Sequence, residues 1–277
     1  MQKLPSTYSS EWNIPTDVFV YNDPSAKTLV IEEIASHIRG LFPGMRVEVR
    51  GDFVSHHYHG STEELAERIA RTKVRNISDP FESFDPLLGE IRFEERLLER
   101  PESGISGVLY DAARLHLVLR EMIPEEELSL RAVHAAFTSR LFGTFDDADR
   151  RYHARVILCG YPSIISTSGI VEAPAKPREY YLMREKLRAL GEDVPAEVLK
   201  EQIQGRFLDY DDPRLTDVMK GYSLQALFYA ITHEPFCEDP ECRLYNSHWQ
   251  EEVLASQLGD KEFCDEHASL IRWISDR

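Results

Sequence analysis

The chain has 277 residues, of which 42% are hydrophobic and 29% are charged. This is the balance of a folded globular protein, so the composition excludes a disordered or fibrous chain. Acidic residues outnumber basic residues 48 to 32, and the formal net charge is −16. That excess argues against nucleic acid as a partner, because phosphate backbones are bound by clustered Lys and Arg.

The sequence contains no predicted membrane or export segment. The residues before Asp17 include no apolar stretch of signal-peptide length. No run of about 18 apolar residues, the length that crosses a bilayer, occurs anywhere. Without a secretory signal, three clustered cysteines and the isolated Cys159 are predicted to be thiols or metal ligands rather than disulfides. We therefore expect a cytoplasmic protein without membrane contact.

The first third of the chain alternates strand and helix patterns. Residues 17–22 are rich in β-branched and aromatic side chains and predict a strand, after which Asp23 can cap a helix. Residues 46–53 predict a second strand, which completes a βαβ unit. Ser61, with Glu64 three residues later, forms a capping box that predicts a helix over residues 62–72.

The remaining elements predict a mixed fold. Residues 74–105 contain several Pro and Gly residues and predict an irregular segment, and the most strand-like region is 131–171. Helices are predicted over 110–122, 178–190, 196–205 and 214–231, the last of them apolar enough to be a buried central helix. This order predicts an α/β (α+β) fold with a main domain over 1–233 and a small C-terminal zinc subdomain over 234–277.

The C-terminal region contains the strongest chemical signal. Cys237 and Cys242 are separated by a short turn at Pro240, and Cys264 is followed three residues later by His267. Ser247 is predicted to cap a helix between the two pairs, which brings them back together. Two such pairs are typical of a Cys3His Zn²⁺ site. Because four protein ligands leave no open position for water, the predicted role of the zinc is structural.

Other histidines are weaker candidates. His233 and Glu234 do not form a His-Glu-x-x-His motif, since Pro235 interrupts the helix and Cys237 stands at the fourth position. The cluster His56, His57 and His59 is predicted to lie in an exposed loop. His134 and His153 are predicted to be hydrogen-bonded histidines of a sheet.

One further segment could form a binding groove. Residues 160–177 are rich in Ser, Thr and Gly, and Ser166, Ser168, Glu172 and Lys176 are candidate lining residues. No nucleophile elbow or phosphate loop is present. The alternatives are an edge strand that turns into a loop, and an edge that accepts a peptide by β-addition.

At the cysteine pairs the sequence resembles the archaemetzincins, a metallopeptidase family in which a catalytic helix leads into a cysteine-rich structural zinc site. The resembling residues are Cys237-x4-Cys242-x-Leu244 and the second pair, in which His267 stands where the family has its last cysteine. Leu244 replaces the methionine of the Met-turn. The resemblance implies a metzincin-like mixed sheet, and segments such as 140–156 and 162–177 also resemble an archaeal family labelled as metallopeptidases.

The same resemblance implies that the catalytic groups have been lost. The family motif is His-Glu-x-x-His-x-x-Gly-x-x-His, just before the first cysteine. An ungapped match that ends on His233 places Ser223, Leu224 and Leu227 where the family has His, Glu and His. These side chains neither bind zinc nor polarise water.

Three functions follow as hypotheses. The first is a catalytically degenerate metallopeptidase homologue that binds a peptide or protein partner. The second is an active zinc hydrolase with a site rebuilt from His233 and from His153, His134 or His248. The third is a zinc-stabilised scaffold that binds a peptide along the predicted edge over residues 163–171.

Overall fold

The computed structural model describes residues 12–105, 107–191, 196–203 and 205–276. The absence of an export signal was predicted mainly from residues before 12, which lie outside the described part, as does residue 204 of the predicted helix 196–205. The strands are β1 (Asp17–Tyr21), β2 (Arg46–Arg50), β3 (Leu109–Asp111), β4 (Ala132–Thr138), β5 (Leu141–Asp146), β6 (Arg151–Arg155), β7 (Ile157–Leu158) and β8 (Ser163–Ser166).

Helices cover both faces of the sheet and form the C-terminal region. They are α1 (Ile31–Leu41), α2 (Phe53–His57), α3 (Thr62–Ala70), α4 (Leu88–Glu99), α5 (Ala112–Arg120), α6 (Gly169–Glu172), α7 (Arg178–Ala189), α8 (Ala196–Glu201), α9 (Leu215–Thr232), α10 (Gln250–Leu258) and α11 (Asp265–Ser275). Among the described residues, no helix combines the length and the apolar composition of a membrane span. The predicted mixed α/β class is confirmed.

The main sheet has five strands in the order β2-β1-β4-β8-β7. The first four are parallel, and β7 runs antiparallel to β8 at the edge. A second sheet has the order β3-β5-β6, in which β3 and β5 are parallel and β6 is antiparallel. Among the described strands, β8 therefore lies between β4 and β7, and β7 forms the edge of the sheet.

Strand β1 shows how the sequence builds two cores. Val18 and Val20 pack with α1 and α9 in one hydrophobic cluster, whereas Phe19 and Tyr21 pack with α3 and α5 in another. Alternate side chains of a strand point to opposite faces, so one short sequence supplies both clusters. Because parallel strands are covered on both faces, the central strand β4 is buried along almost its whole length.

Helix α9 is the central helix of the fold, and its predicted extent is confirmed to within one residue at each end. Apolar residues surround it, and Leu224, Leu227 and Phe228 are fully buried. It contacts α1 on one side and α10 on another. A helix that is apolar on all sides requires such complete coverage.

The C-terminal segment packs against the same core as the sheet. Cys242, Leu244, Val253 and Leu270 belong to the hydrophobic cluster that contains Val18 of β1. The predicted boundary after residue 233 stays a prediction. The structure shows that apolar side chains from both sides of that boundary share one interior.

Several element boundaries differ from the sequence-based expectation. The predicted helix after Asp23 begins only at Ile31, because Asp23 accepts hydrogen bonds from Ser25 and Thr167 instead of capping it. Residues 88–99 of the segment predicted to be irregular form α4. Helix α10 begins at Gln250 rather than after Ser247, since Glu252 accepts the backbone N–H of Trp249.

The predicted peptide-accepting edge over residues 163–171 is wrong. Strand β8 lies between β4 and β7, and all four of its residues are buried. Residues 169–172 then form α6. A pair of hydrogen-bonded neighbours leaves β8 with no free backbone edge, so only β7 can accept a further strand at this end.

Candidate metal centre and cleft

The four C-terminal ligand residues are positioned by short local structures. The N–H of Cys237 donates to Leu244 O at 2.9 Å, and the N–H of Cys242 donates to Asp239 O at 3.0 Å, which closes the first turn. Cys264 is the N-cap of α11, and its Sγ accepts the N–H of His267 at 3.5 Å. A turn and a helix start therefore present the two pairs.

The ligand atoms of Cys237, Cys242, Cys264 and His267 all lie within 4.8 Å of one another. The Sγ atoms of Cys237 and Cys264 are 3.8 Å apart, and His267 Nδ1 is 3.8 Å from Cys242 Sγ and 3.0 Å from Cys264 Sγ. Thiolates at about 2.3 Å from one tetrahedral ion would be about 3.8 Å apart. The cluster is therefore capable of holding a metal ion, and its donor set fits Zn²⁺.

Burial disfavours charge on the ligands of this cluster. Burial raises the pKa of the Cys237 thiol to about 12, raises the pKa of Cys242, and lowers the pKa of His267. In the absence of a cation, burial thus favours the neutral form of each of these ligands. A metal ion that displaces the thiol protons supplies the missing positive charge.

A second group of ligand-type residues lies on the opposite face of the sheet. The ligand atoms of His57, Glu127 and His134 lie within 4.8 Å of one another. The hydroxyl of Tyr21 stands between the histidines, at 2.8 Å from His57 Nε2 and 2.8 Å from His134 Nδ1. Arg50 completes the group.

Arg50 supplies this second group with the positive charge that a metal ion would otherwise bring. Its guanidinium donates to both carboxylate oxygens of Glu127, at 2.7 and 2.8 Å, and to Tyr21 Oη at 3.0 Å. His134 Nε2 is 3.2 Å from the Glu127 carbonyl, so it donates there and Nδ1 accepts from Tyr21. His57 Nε2–H then donates to Tyr21. The hydroxyl of Tyr21 and one ring N–H of each histidine are thus used within the group, and we interpret it as a hydrogen-bond network.

This arrangement refines the predictions for the isolated histidines. His56 and His59 are exposed as predicted, whereas His57 is half-buried and belongs to the network. The predicted loop is wrong for His56 and His57, which form the end of α2. His134 is a buried, hydrogen-bonded histidine of a sheet, as predicted. Tyr21, Arg50 and Glu127 were missed, because their separation in sequence conceals their contact.

A cleft of about 440 Å³ lies between α9, the edge strand β7 and the loop that contains residues 235–248. His153 and His248 line it, whereas His134 lies on the other face of the sheet and the exposed His233 follows the end of α9. Within the described residues, no group of three metal-ligand side chains includes His153, His233 or His248. A zinc site rebuilt from two of these histidines stays a prediction.

The face of α9 that lines the cleft does not carry the residues that align with the family motif. Ser223, Leu224 and Leu227 are buried in the core, and Ser223 Oγ donates to Met219 O at 2.9 Å. The cleft is instead lined by Gln225 and Tyr229, which are four residues apart. That is the spacing of the two histidines in His-Glu-x-x-His, yet neither residue is a usual zinc ligand.

Gln225 is held in a fixed orientation at the cleft. Its Nε2 lies 3.3 Å from Tyr245 O and 3.5 Å from Leu244 O, so the amide nitrogen must face these carbonyls. Its Oε1 is buried and has no hydrogen-bond partner among the described residues. Gln225 is the only amide side chain in α9, and that was the signal that could have identified it.

Comparison with known proteins identifies the family. No curated protein sequence matches the chain. Among solved structures, the crystal structure of archaemetzincin from Methanopyrus kandleri is similar, with 14% identity, a TM-score of 0.42, and coverage of 95% of this chain and 97% of that chain. The sequence profile of a probable metallopeptidase family, DUF6775, matches residues 14–274. Since this match spans nearly the whole sequence, the chain belongs to the probable metallopeptidase family DUF6775.

Proposed function

We propose that this protein is a catalytically degenerate member of its metallopeptidase family, which holds one structural Zn²⁺ and binds peptides in the cleft between α9 and β7. The proposed zinc ligands are Cys237, Cys242, Cys264 and His267, whose ligand atoms converge. Four protein ligands leave no coordination position for a reacting water. Bound there, zinc would tie the loop after α9 to the start of α11.

The observation that carries the proposal is the identity of the side chains on the cleft face of α9. A zinc peptidase places two imidazoles and a carboxylate on that face, to bind the ion and to activate water. At the corresponding spacing this helix presents Gln225 and Tyr229, with Ala226 directly after Gln225. An amide and a phenol retain hydrogen bonding to a ligand but supply no metal site of the usual kind.

The cleft retains features that suit an extended peptide. Strand β7 is at the end of the sheet order and pairs only with β8 among the described strands. We propose that a peptide adds to the outer side of β7 by β-addition, the mode in which a peptide is bound through main-chain hydrogen bonds. A cytoplasmic location and the exclusion of nucleic acid and membrane as partners stay predictions from the sequence.

Metal analysis combined with a digestion assay tests this function. Purified protein should contain one zinc per chain, and Cys264→Ser should reduce the zinc content to near zero. Cys159→Ser is the matched control, because Cys159 belongs to no ligand cluster among the described residues and its loss should leave one zinc.

Incubation with a mixed peptide library and added Zn²⁺, followed by mass spectrometry, should show no new cleavage products. Two zinc ions per chain, together with cleavage that a chelator abolishes, would contradict the degenerate assignment. Such a result would support the active hydrolase instead.

A further inference from the structure

The charge of the cleft differs from that of the whole molecule. The chain carries 48 acidic residues against 32 basic ones. The described residues that line the cleft nevertheless include Arg155, His153 and His248 and no Asp or Glu. A concave surface without carboxylates, in a protein of net charge −16, is locally suited to a negatively charged ligand.

Arg155 is the side chain best placed to receive such a ligand. Its Nε donates to Thr144 Oγ1 at 2.8 Å, which fixes the guanidinium at the end of β6, directly before the edge strand. Within the described part of the chain no carboxylate forms an ion pair with it, whereas Nε2 of the neighbouring His153 lies 2.8 Å from a carboxylate oxygen of Asp149. The fork of Arg155 therefore has donors left for a carboxylate, which a guanidinium binds in a bidentate manner.

Gln225 adds a second requirement for the ligand, which is a hydrogen-bond donor. Because Nε2 is committed to the carbonyls of Leu244 and Tyr245, the unpartnered atom is the acceptor Oε1. The side chain is only 1% exposed, so the unmade bond has a cost that a ligand N–H can relieve. Inorganic anions at neutral pH carry no such N–H, but a peptide carries one at almost every residue.

From these three observations we infer that the cleft is selective for acidic peptides, with Arg155 binding a ligand carboxylate and Gln225 Oε1 accepting a ligand N–H. This inference rests on the proposed peptide-binding function and adds the chemical class of the peptide. The edge strand β7 aligns the main chain of the peptide, and Arg155 then binds the carboxylate of a peptide side chain.

Fluorescence anisotropy with zinc-loaded full-length protein tests the inference. Three labelled peptides of equal length should be compared, with Glu, Gln or Lys at the same alternate positions. The Glu peptide should bind at least about tenfold more tightly than the Gln peptide, the scale of one charge-assisted hydrogen bond, and the Lys peptide more weakly than both. Arg155→Gln should reduce the Glu-to-Gln ratio to about one.

Arg96→Gln is the matched control, because it removes the same charge from an exposed position on α4 and should preserve the preference. A ligand-side experiment tests Gln225 without any risk to folding. N-methylation at successive positions of the Glu peptide should weaken binding strongly at the residue whose N–H meets Oε1. In Gln225→Leu protein that position should lose its sensitivity.

Each outcome bears on a different claim. Equal binding of the Glu and Gln peptides, or a preference that survives Arg155→Gln, overturns the acidic selectivity and leaves peptide binding intact. Absence of binding by all three peptides overturns both. Dependence on Glu residues without sensitivity to N-methylation would identify a simple anion site and would remove the role assigned to Gln225.

Discussion

At the residue scale, the two groups of ligand-type side chains differ in whether they contain a cationic side chain. Arg50 supplies a permanent positive charge to Glu127 and lies 3.7 Å from the ring of Phe19, so this group is neutralised internally. The Cys237, Cys242, Cys264 and His267 cluster contains no such residue. Both groups bring their ligand atoms close together, but only the group with Arg50 contains a cation of its own among the described residues.

The His57 network predicts a specific pH dependence of stability. Burial lowers the pKa of His57 from 6.5 to about 4. Between these values the unfolded chain binds a proton that the folded chain does not, so the free energy of unfolding falls as the pH falls from 6.5 to 4. In His57→Gln, which keeps a donor for Tyr21 but does not titrate, thermal unfolding measured across this range should depend less on pH.

His59→Gln is the control for this experiment, since His59 is exposed and outside the network. Its pH profile should run parallel to that of the wild type. Zinc loss at low pH affects all three proteins equally, so it does not change the comparison. Parallel profiles for the wild type and His57→Gln would contradict the prediction.

At the element scale, α9 determines how the C-terminal region is attached. Gly221 lies at its contact with α10, where an added Cβ would be 1.8 Å from Gln257 Oε1 and 2.8 Å from Arg243 Cγ. The Gln257 side chain cannot move freely, because its Nε2 donates to Arg243 O at 2.7 Å. The close approach of these two helices therefore depends on the missing side chain.

We expect Gly221→Ala to destabilise the protein by about 1–3 kcal/mol through overpacking, measured by urea denaturation. Gly40→Ala is the matched substitution in α1, where nothing lies within 4 Å of the added Cβ. It should instead stabilise by up to about 1 kcal/mol, because Ala is the better helix former. Equal effects of the two substitutions would show that α9 and α10 are not in close contact.

The elements near α9 also show where prediction from sequence succeeds and fails. The helix itself was predicted to within one residue at each end because its long apolar pattern is local. The face that lines the cleft was not, since a helix that is apolar on all sides gives no periodic signal. Strand β8 was misassigned as an edge because β7, only a few residues earlier in the chain, pairs with its outer side and makes it an interior strand.

At the scale of the whole molecule, the proposed zinc site and the sheet share one interior. Cys242 and Cys264 belong to the hydrophobic cluster that contains the β1 and α9 side chains. Ser275 at the end of α11 donates to Leu41 O of α1 at 2.6 Å. Loss of order at the zinc ligands should therefore be transmitted to the main core.

Removal of zinc by a chelator should lower the unfolding temperature of the entire chain in one transition. A loss of about 3 kcal/mol of zinc-dependent stability would correspond to about 6–12 °C in a chain of this size class. Differential scanning calorimetry measures both the shift and the number of transitions. Re-addition of Zn²⁺ should restore the temperature, whereas Mg²⁺, which prefers oxygen ligands, should not.

A separate low-temperature transition for the C-terminal segment would contradict this expectation of one transition. It would favour the predicted division into 1–233 and 234–277 as two stability units. An unchanged unfolding temperature in the presence of the chelator would count against a structural zinc ion altogether.

The sequence by itself determined the mixed α/β class, the family and the candidate zinc ligands. All three follow from patterns of residues that are close together in the chain. For the zinc ligands, these are the short spacings from Cys237 to Cys242 and from Cys264 to His267. Such patterns can be recognised without knowledge of the fold. Only the tertiary structure decided which histidines are in contact and that Gln225 lines the cleft. It also decided that Arg50, rather than a metal ion, supplies the positive charge beside Glu127. Those contacts join distant segments, and they are set by how strands and helices pack rather than by any pattern along the chain.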